Sequence, residues 1–164
     1  MAAVYIRGRF ARYVKYFCDL KTDGMCKLFA MNYAQMYMFA SLYGCVNDCR
    51  CVYNPMDDEP TDADLSPIEV KEDTFKAGWM PEYRRLILLN EHITTRDNGA
   101  KIDSTFRYDF KDCDDQRKNN AIIEEYALGG LDKLYRIFKN CTTKEDYVIT
   151  FNEVLTNLIK QINN

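Results

Sequence analysis

Glu124-Glu125-Tyr126-Ala127-Leu128-Gly129-Gly130-Leu131-Asp132-Lys133-Leu134-Tyr135 carries a helical apolar pattern straight through two adjacent glycines. Each glycine in a helix interior costs roughly 1 kcal/mol relative to alanine. Yet Ile123, Tyr126, Ala127, Gly130, Leu131, Leu134, Ile137 and Phe138 keep the three- and four-residue spacing of one buried stripe. Either a neighbouring backbone packs too closely for a Cβ, or one helix ends at Gly129 and another starts at once. The stripe stays in phase across the pair. That favours a close packing point, and the partner expected for it is the apolar segment from Met25 to Tyr43.

That segment (Leu28, Phe29, Met31, Tyr33, Met36, Tyr37, Phe39, Ala40, Leu42) is apolar almost all round and reads as the central helix, with Gly44 as its C-cap. Lys27, Asn32, Gln35 and Ser41 make it too polar and too short for a membrane span. Ahead of it, Phe10, Tyr13, Val14 and Phe17 share one face of a helix from about Arg9 to Leu20, which ends before the turn Lys21 to Gly24. Pro81 suits the first turn of a third helix reaching about His92, and Asp97-Asn98-Gly99 is a turn. Phe106, Tyr108 and Phe110 alternate with charged residues at the period of a half-buried strand. Asn119-Asn120 reads as the cap of the glycine-bearing segment Ala121 to Lys139. Thr142 and Glu145 match a capping box for a last helix striped by Val148, Phe151, Leu155, Leu158 and Ile162.

Between about residues 45 and 67 periodicity stops. Cys45, Cys49 and Cys51 lead into an acidic, proline-bearing stretch read as a long surface loop, its far end pinned by Ile68, Val70 and Phe75. No repeat or linker divides the 164 residues. The expectation is a mainly α, compact single-domain helical bundle spanning residues 1–164, with a central apolar helix and one long acidic, cysteine-containing loop.

Charge is uneven. Arg7, Arg9, Arg12, Lys15 and Lys21 oppose one acid, Asp19, near the start. Asp57, Asp58, Glu59, Asp62, Asp64, Glu69, Glu72 and Asp73 oppose only Lys71 further on. A net charge of −3 argues against a general nucleic-acid coat but leaves room for a local phosphate contact. Arg7, Arg9, Arg12 and Lys15, interleaved with Tyr5, Phe10, Tyr13 and Tyr16, suit phosphate contact and base stacking; Arg7, Arg9, Arg12, Lys15 and Tyr16 are therefore the candidate nucleic-acid or partner contact. The competing reading is an amphipathic helix whose polar face is basic. Asp57, Asp58, Glu59, Asp62 and Asp64 form a second candidate, an acidic partner-binding loop.

Seven cysteines follow a start that is too short and too soon charged for a secretory signal, so a cytoplasmic protein with reduced thiols is expected. Cys45, Cys49 and Cys51 are the weak metal candidates, with Cys113, Cys18 or His92 as a fourth ligand. Their spacing lacks the paired units of a zinc site, and reduced loop cysteines are the favoured reading. His92, the only histidine, has no nucleophile and orienting carboxylate in a recognisable pattern. Neither a nucleophile elbow nor a Walker-type or dinucleotide loop is present. The expectation is a non-enzyme without cofactor or small-molecule substrate. Magnesium-dependent cleavage through Asp109, Asp112, Asp114, Asp115, Glu124 and Glu125 stands as a distant alternative.

Three segments together resemble one family. Asp23-Gly24-Met25-Cys26-Lys27 with Met36-Tyr37-Met38-Phe39-Ala40-Ser41-Leu42-Tyr43-Gly44 is similar to the small turn and phenylalanine-alanine-rich helix of small accessory proteins encoded beside bacterial DNA phosphorothioation systems. Glu124 to Leu131 resembles that family's glutamate-tyrosine-alanine-x-glycine-glycine-leucine run. Pro67-Ile68 and Arg85-Leu86-Ile87-Leu88-Leu89 are similar in order and character, while residues 45–64 depart from the pattern. The resemblance implies a non-catalytic accessory protein of a DNA-modification and anti-phage defence system that binds a partner protein or DNA. It supplies no catalytic residues. A virus- or phage-encoded helical inhibitor of a host defence protein, acting through its acidic loop, is the alternative.

Overall fold

In the computed structural model, which describes residues 3–18, 31–58, 66–94 and 113–162, the chain is mainly α. The order is β1 (Ala3–Ile6), α1 (Gly8–Cys18), α2 (Tyr33–Val46), a short α3 (Pro55–Asp58), β2 (Ile68–Lys71), a 3-10 turn (Glu72–Lys76), α4 (Met80–Thr94), α5 (Cys113–Phe138) and α6 (Lys144–Ile162).

The glycine pair decides the architecture. α5 is continuous through Gly129 and Gly130, so the helix-break alternative is wrong and the close packing point is right. A Cβ on Gly130 would lie 1.9 Å from the Ala40 carbonyl oxygen of α2 and 3.0 Å from the Gly44 nitrogen. A Cβ on Gly44 would in turn lie 2.1 Å from the Tyr126 carbonyl oxygen. The two helices thus meet backbone to backbone, each using a glycine where the other's carbonyl comes closest. Gly44 is therefore not the C-cap expected of it. α2 runs on to Val46 and ends at Asn47, whose amide group donates to the Tyr43 carbonyl at 2.9 Å. Ser41 completes the crossing: its hydroxyl donates to the Tyr37 carbonyl at 2.9 Å and lies 3.4 Å from the Ile123 carbonyl of α5.

Close approach buries both helices on most sides. In α2, Met36 to Ser41 and Tyr43 to Cys45 are buried; in α5, Tyr126 to Leu131 are buried without interruption. Against this pair α1 lays Phe10, Val14 and Phe17, α4 lays Ile87 and Leu88, and α6 lays Tyr147, Val154 and Leu158. Aromatic rings lock α1, α5 and α6 together. Tyr13 stacks on Tyr135 at 4.0 Å, and Phe138 meets Phe17 at 5.7 Å and Tyr147 at 4.7 Å between ring centroids.

Helix starts follow local chemistry. Asn32 and Gln35 form a reciprocal capping box before α2, with side-chain oxygens accepting at 2.9 and 3.0 Å. At α6 the box is one residue later than expected. Thr143 Oγ1 accepts from the Asp146 amide and Asp146 Oδ2 from the Thr143 amide, both at 3.1 Å, in place of Thr142 and Glu145. Asn119, expected as a cap, is buried within α5, which begins at Cys113. Pro81 does lie in the first turn of α4.

β1 and β2 form an antiparallel pair that the sequence pattern did not show, with Val4 opposite Val70 and Ile6 opposite Ile68. Ile68 and Val70 are buried and Phe75 packs on Tyr37 at 5.7 Å, so the expected pinning of the loop's far end holds. Several expectations fall outside the described residues: the turn at 21–24, the helix start at Met25, the turn at Asp97-Asn98-Gly99 and the alternation at 106–110.

Candidate functional site

Residues 47–54, expected as part of a surface loop, do lie at the surface, each exposed or half-buried, but their backbone is docked against α5. A Cβ on Gly129 would lie 2.6 Å from the Cys49 carbonyl carbon and 2.8 Å from the Arg50 nitrogen, so the loop backbone fills the hollow beside α5. The Cys49 amide donates to the Gly44 carbonyl at 2.7 Å and the Cys51 amide to the Glu125 carbonyl at 3.0 Å. Asp48 takes the left-handed backbone conformation at φ 48° to make the bend.

Arg50 fastens this loop to two helices. Its Nη2 donates to Glu91 of α4 and, at 2.6 Å, to the Tyr126 hydroxyl of α5, which itself donates to Glu91 Oε2 at 2.9 Å. The guanidinium also lies over the Tyr126 ring at 4.4 Å and reaches Glu125 at 3.6 Å. Burial, then the hydrogen bond to Glu91, pushes the Tyr126 pKa up, so this phenol stays a donor. The network ties the loop to α4 and α5.

The two charged sites read from the sequence meet inside the molecule. Arg9 Nε lies 2.8 Å from Asp58 Oδ1, and the Asp58 side chain is 2 % exposed. Burial lowers the Arg9 pKa, but Asp58 and then Asp132 outweigh it and the guanidinium ends above its usual value. Asp58 Oδ2 also accepts from the Asn54 amide at 2.6 Å, and Gly8, at φ 55°, lets α1 begin directly against α3. Asp58 is thus a buried partner of Arg9 and not a surface acid. Asp57 has no described side chain, and Glu59, Asp62 and Asp64 lie outside the described residues.

Arg7 and Arg12 are exposed and Lys15 is half-buried; none of the three forms an ion pair among the described residues. Tyr16 is withdrawn from any binding face. Its hydroxyl donates to the Phe138 carbonyl at 3.1 Å and its ring packs edge-on against Tyr135 at 5.3 Å. Phe10 and Tyr13 are buried too, which leaves Tyr5, 46 % exposed, as the open ring of that interleaved set.

The three loop cysteines have separate surroundings. Cys45 is buried on α2 and accepts from Asn90 at 3.3 Å, Cys49 donates to the Asn47 carbonyl at 3.2 Å, and Cys51 lies 3.9 Å from an Arg9 nitrogen. Burial pushes the Cys45 and Cys51 thiols up, against the opposing pull of Asn90 and Arg9. Among the described residues no three His, Cys, Asp or Glu side chains converge on a point that would hold a metal ion. The side chains of His92 and Cys113 are not described.

One feature was not foreseen. A groove of about 310 Å³ lies between β1 and the N-terminal half of α5, lined by Ala3, Val4, Tyr5 and Arg7, by Tyr37 and Tyr53, and by Asn120, Glu124 and Leu128. Glu124 stands on it partly desolvated: burial pushes its carboxyl pKa up, Arg7 draws it down and Glu125 adds to the rise. No sequence signal joins these residues, because they come together only through the α2–α5 crossing and the β1–β2 pair. Among the described residues no helix is long and apolar enough to cross a membrane. Comparison with protein-family models, curated proteins and solved structures gives no match to this chain.

Proposed function

We propose that this chain is a non-catalytic accessory protein of a bacterial DNA-modification and anti-phage defence system, acting in the cytoplasm by docking onto a partner protein. The observation that carries the docking part is the uneven fate of its charges. Arg9 and Arg50 are paired with internal acids, whereas Arg7, Arg12 and Lys15 form no ion pair with a described residue, and Arg7 lines an open groove. Unpaired cations around a concave surface suit a complementary protein face.

The defence assignment rests on the resemblance of Glu124-Glu125-Tyr126-Ala127-Leu128-Gly129-Gly130-Leu131 to the phosphorothioation-associated accessory proteins. In this chain the run forms the helix crossing, so what it has in common with that family is a scaffold and not reactive groups. Co-expression of the tagged chain with the products of neighbouring sulfur-transfer and helicase genes tests the proposal. Stoichiometric co-purification, lost on joint Arg7→Glu and Arg12→Glu replacement, is expected. Its absence with every neighbour, from folded protein, would refute the assignment.

DNA contact is the second reading, favoured by the same three cations. Three phosphate contacts give a log–log salt slope near −2.7, roughly a fortyfold loss of affinity between 50 and 200 mM salt. Of the rings beside these cations, Phe10, Tyr13 and Tyr16 are engaged internally and Tyr5 alone is open for base stacking. A labelled duplex titrated at several salt concentrations distinguishes the two: a flat or absent response leaves protein docking alone.

A further inference from the structure

We propose that the groove beside β1 binds an extended peptide segment of a partner protein as a third strand, with a Lys or Arg side chain of that segment facing Glu124. The inference rests on the docking reading above and names the chemistry of what docks.

Three observations carry it. First, consecutive residues Ala3, Val4 and Tyr5 all line the groove. Successive side chains of a strand point to opposite sides, so three in a row are presented only by the strand's edge. Among the described residues β1 pairs with β2 alone, leaving that edge with unused amide and carbonyl groups. An unpaired edge is a template for another strand, and four residues offer about 13 Å of it.

Second, the opposite wall supplies hydrogen-bonding groups. Tyr37 lines the groove, and its hydroxyl makes no hydrogen bond to a described residue. A phenol hydroxyl at that wall can donate to or accept from the backbone of a bound segment. Asn120, one turn before Glu124 on α5, likewise makes no side-chain hydrogen bond to a described residue.

Third, the charges are separated and not paired. Arg7 and Glu124 both line the groove and sense each other electrostatically, but they form no ion pair. Glu124, exposed on α5, lines the groove and can pair with an incoming ammonium or guanidinium. Arg7, over the Tyr5 ring at 5.7 Å, is placed to meet an acidic side chain or carbonyl of the same segment. A strand edge with a base at its end and an acid on the opposite wall suits an extended chain over a compact ligand.

The test is selection of a phage-displayed random hexapeptide pool on the full-length chain, followed by binding and NMR with the synthetic winners. Selected peptides are expected to carry a Lys or Arg, to shift the amides of Ala3 to Arg7, and to lose about tenfold or more in affinity when alternate backbone nitrogens are methylated. Selection on Glu124→Arg should return peptides with Asp or Glu instead, and its unchanged amide spectrum away from the groove checks the fold. A pool yielding no binder, binders indifferent to methylation of either alternate set of nitrogens, or shifts confined elsewhere would overturn the proposal. Shifts of Ala3 to Arg7 caused by a twelve-residue oligothymidine and not by peptides would replace it with single-strand binding. Peptide binding without co-purification of the neighbouring gene products would leave this inference standing and remove the defence assignment.

Discussion

Gly130→Ala is the perturbation whose sign discriminates most. On an open helix this change stabilises, by about 1 kcal/mol, because alanine has the higher helix propensity and loses less backbone freedom on folding. Here the added carbon would lie 1.9 Å from the Ala40 carbonyl oxygen, where ordinary contact begins at 3.4 Å. The obstacle is the backbone of α2, which has no rotamer to change, so the helices must part by about 1.5 Å or slide. Parting them loosens the contacts of Ala40, Tyr126, Ala127 and Leu131, all buried at or beside the crossing. Overpacking a tight core costs about 1–3 kcal/mol, and a backbone obstacle puts this case at the upper end. Set against the propensity gain, a net loss of about 2 kcal/mol remains, or a fall in Tm of roughly 4–8 °C for a chain of this size.

Urea denaturation followed by far-ultraviolet circular dichroism reads this directly, with an unchanged m-value showing that the unfolded state is not the cause. Gly44→Ala should behave alike, since its Cβ would meet the Tyr126 carbonyl oxygen. The double variant should lose less than the sum, because helices already separated by one methyl accommodate the second more easily. A Tm for Gly130→Ala equal to or above that of the parent would refute the reasoning: the glycines would then not set the distance between α2 and α5.

Other perturbations test other parts of the structure. Asp58→Ala strands Arg9 and frees the Asn54 amide; the one-third exposure of the Arg9 side chain softens the penalty of a fully buried pair, so a loss of about 1–2 kcal/mol is expected in the same denaturation assay. Thr143→Ala should cost about 1 kcal/mol as the loss of an N-cap, and more than Thr142→Ala, an order that reverses if the capping box lies at the earlier residue. Glu124 has a raised folded-state pKa, so the folded protein holds its proton more tightly than the unfolded chain; stability contributed by protonation therefore rises as pH falls from above that value towards the ordinary glutamate range. Denaturation of the parent and Glu124→Gln across that window should show the parent gaining on the variant as pH drops, and parallel curves would exclude the shift.

How far the sequence reached depended on whether a signal was local. The stripe through Gly129 and Gly130 was legible because periodicity survives a glycine only when something outside the helix compensates for it. Gly44 was misread because a glycine that ends a helix and one that admits a neighbouring backbone look alike until the partner is known. The α6 capping register was ambiguous for a simpler reason: Thr142 and Thr143 are adjacent, as are Glu145 and Asp146, and both offsets fit the pattern. The β1–β2 pair escaped notice because four residues are too few to show a period of two, and their partners lie far along the chain. The groove was illegible throughout. Tyr37, Glu124 and Ala3 to Tyr5 have no sequence relation, and only tertiary structure makes them neighbours.

Part of the charge asymmetry is satisfied within the chain, where Arg9 of the basic helix pairs with Asp58 of the acidic stretch. A basic helix and an acidic loop in one sequence invite a picture of two surfaces waiting for partners, but the entropy cost of bringing them together is far lower within a chain than between chains. Arg9 accordingly finds Asp58 and Arg50 finds Glu91. These pairs add little net stability, since each charge gives up hydration to form them; what they do is fix where the loop docks, because any other register would leave a charge buried alone. The same reasoning identifies what is left for function. Arg7, Arg12 and Lys15, together with Glu124 in its groove, form no ion pair with a described residue, and they are the charges near α1 that a partner of complementary charge would satisfy.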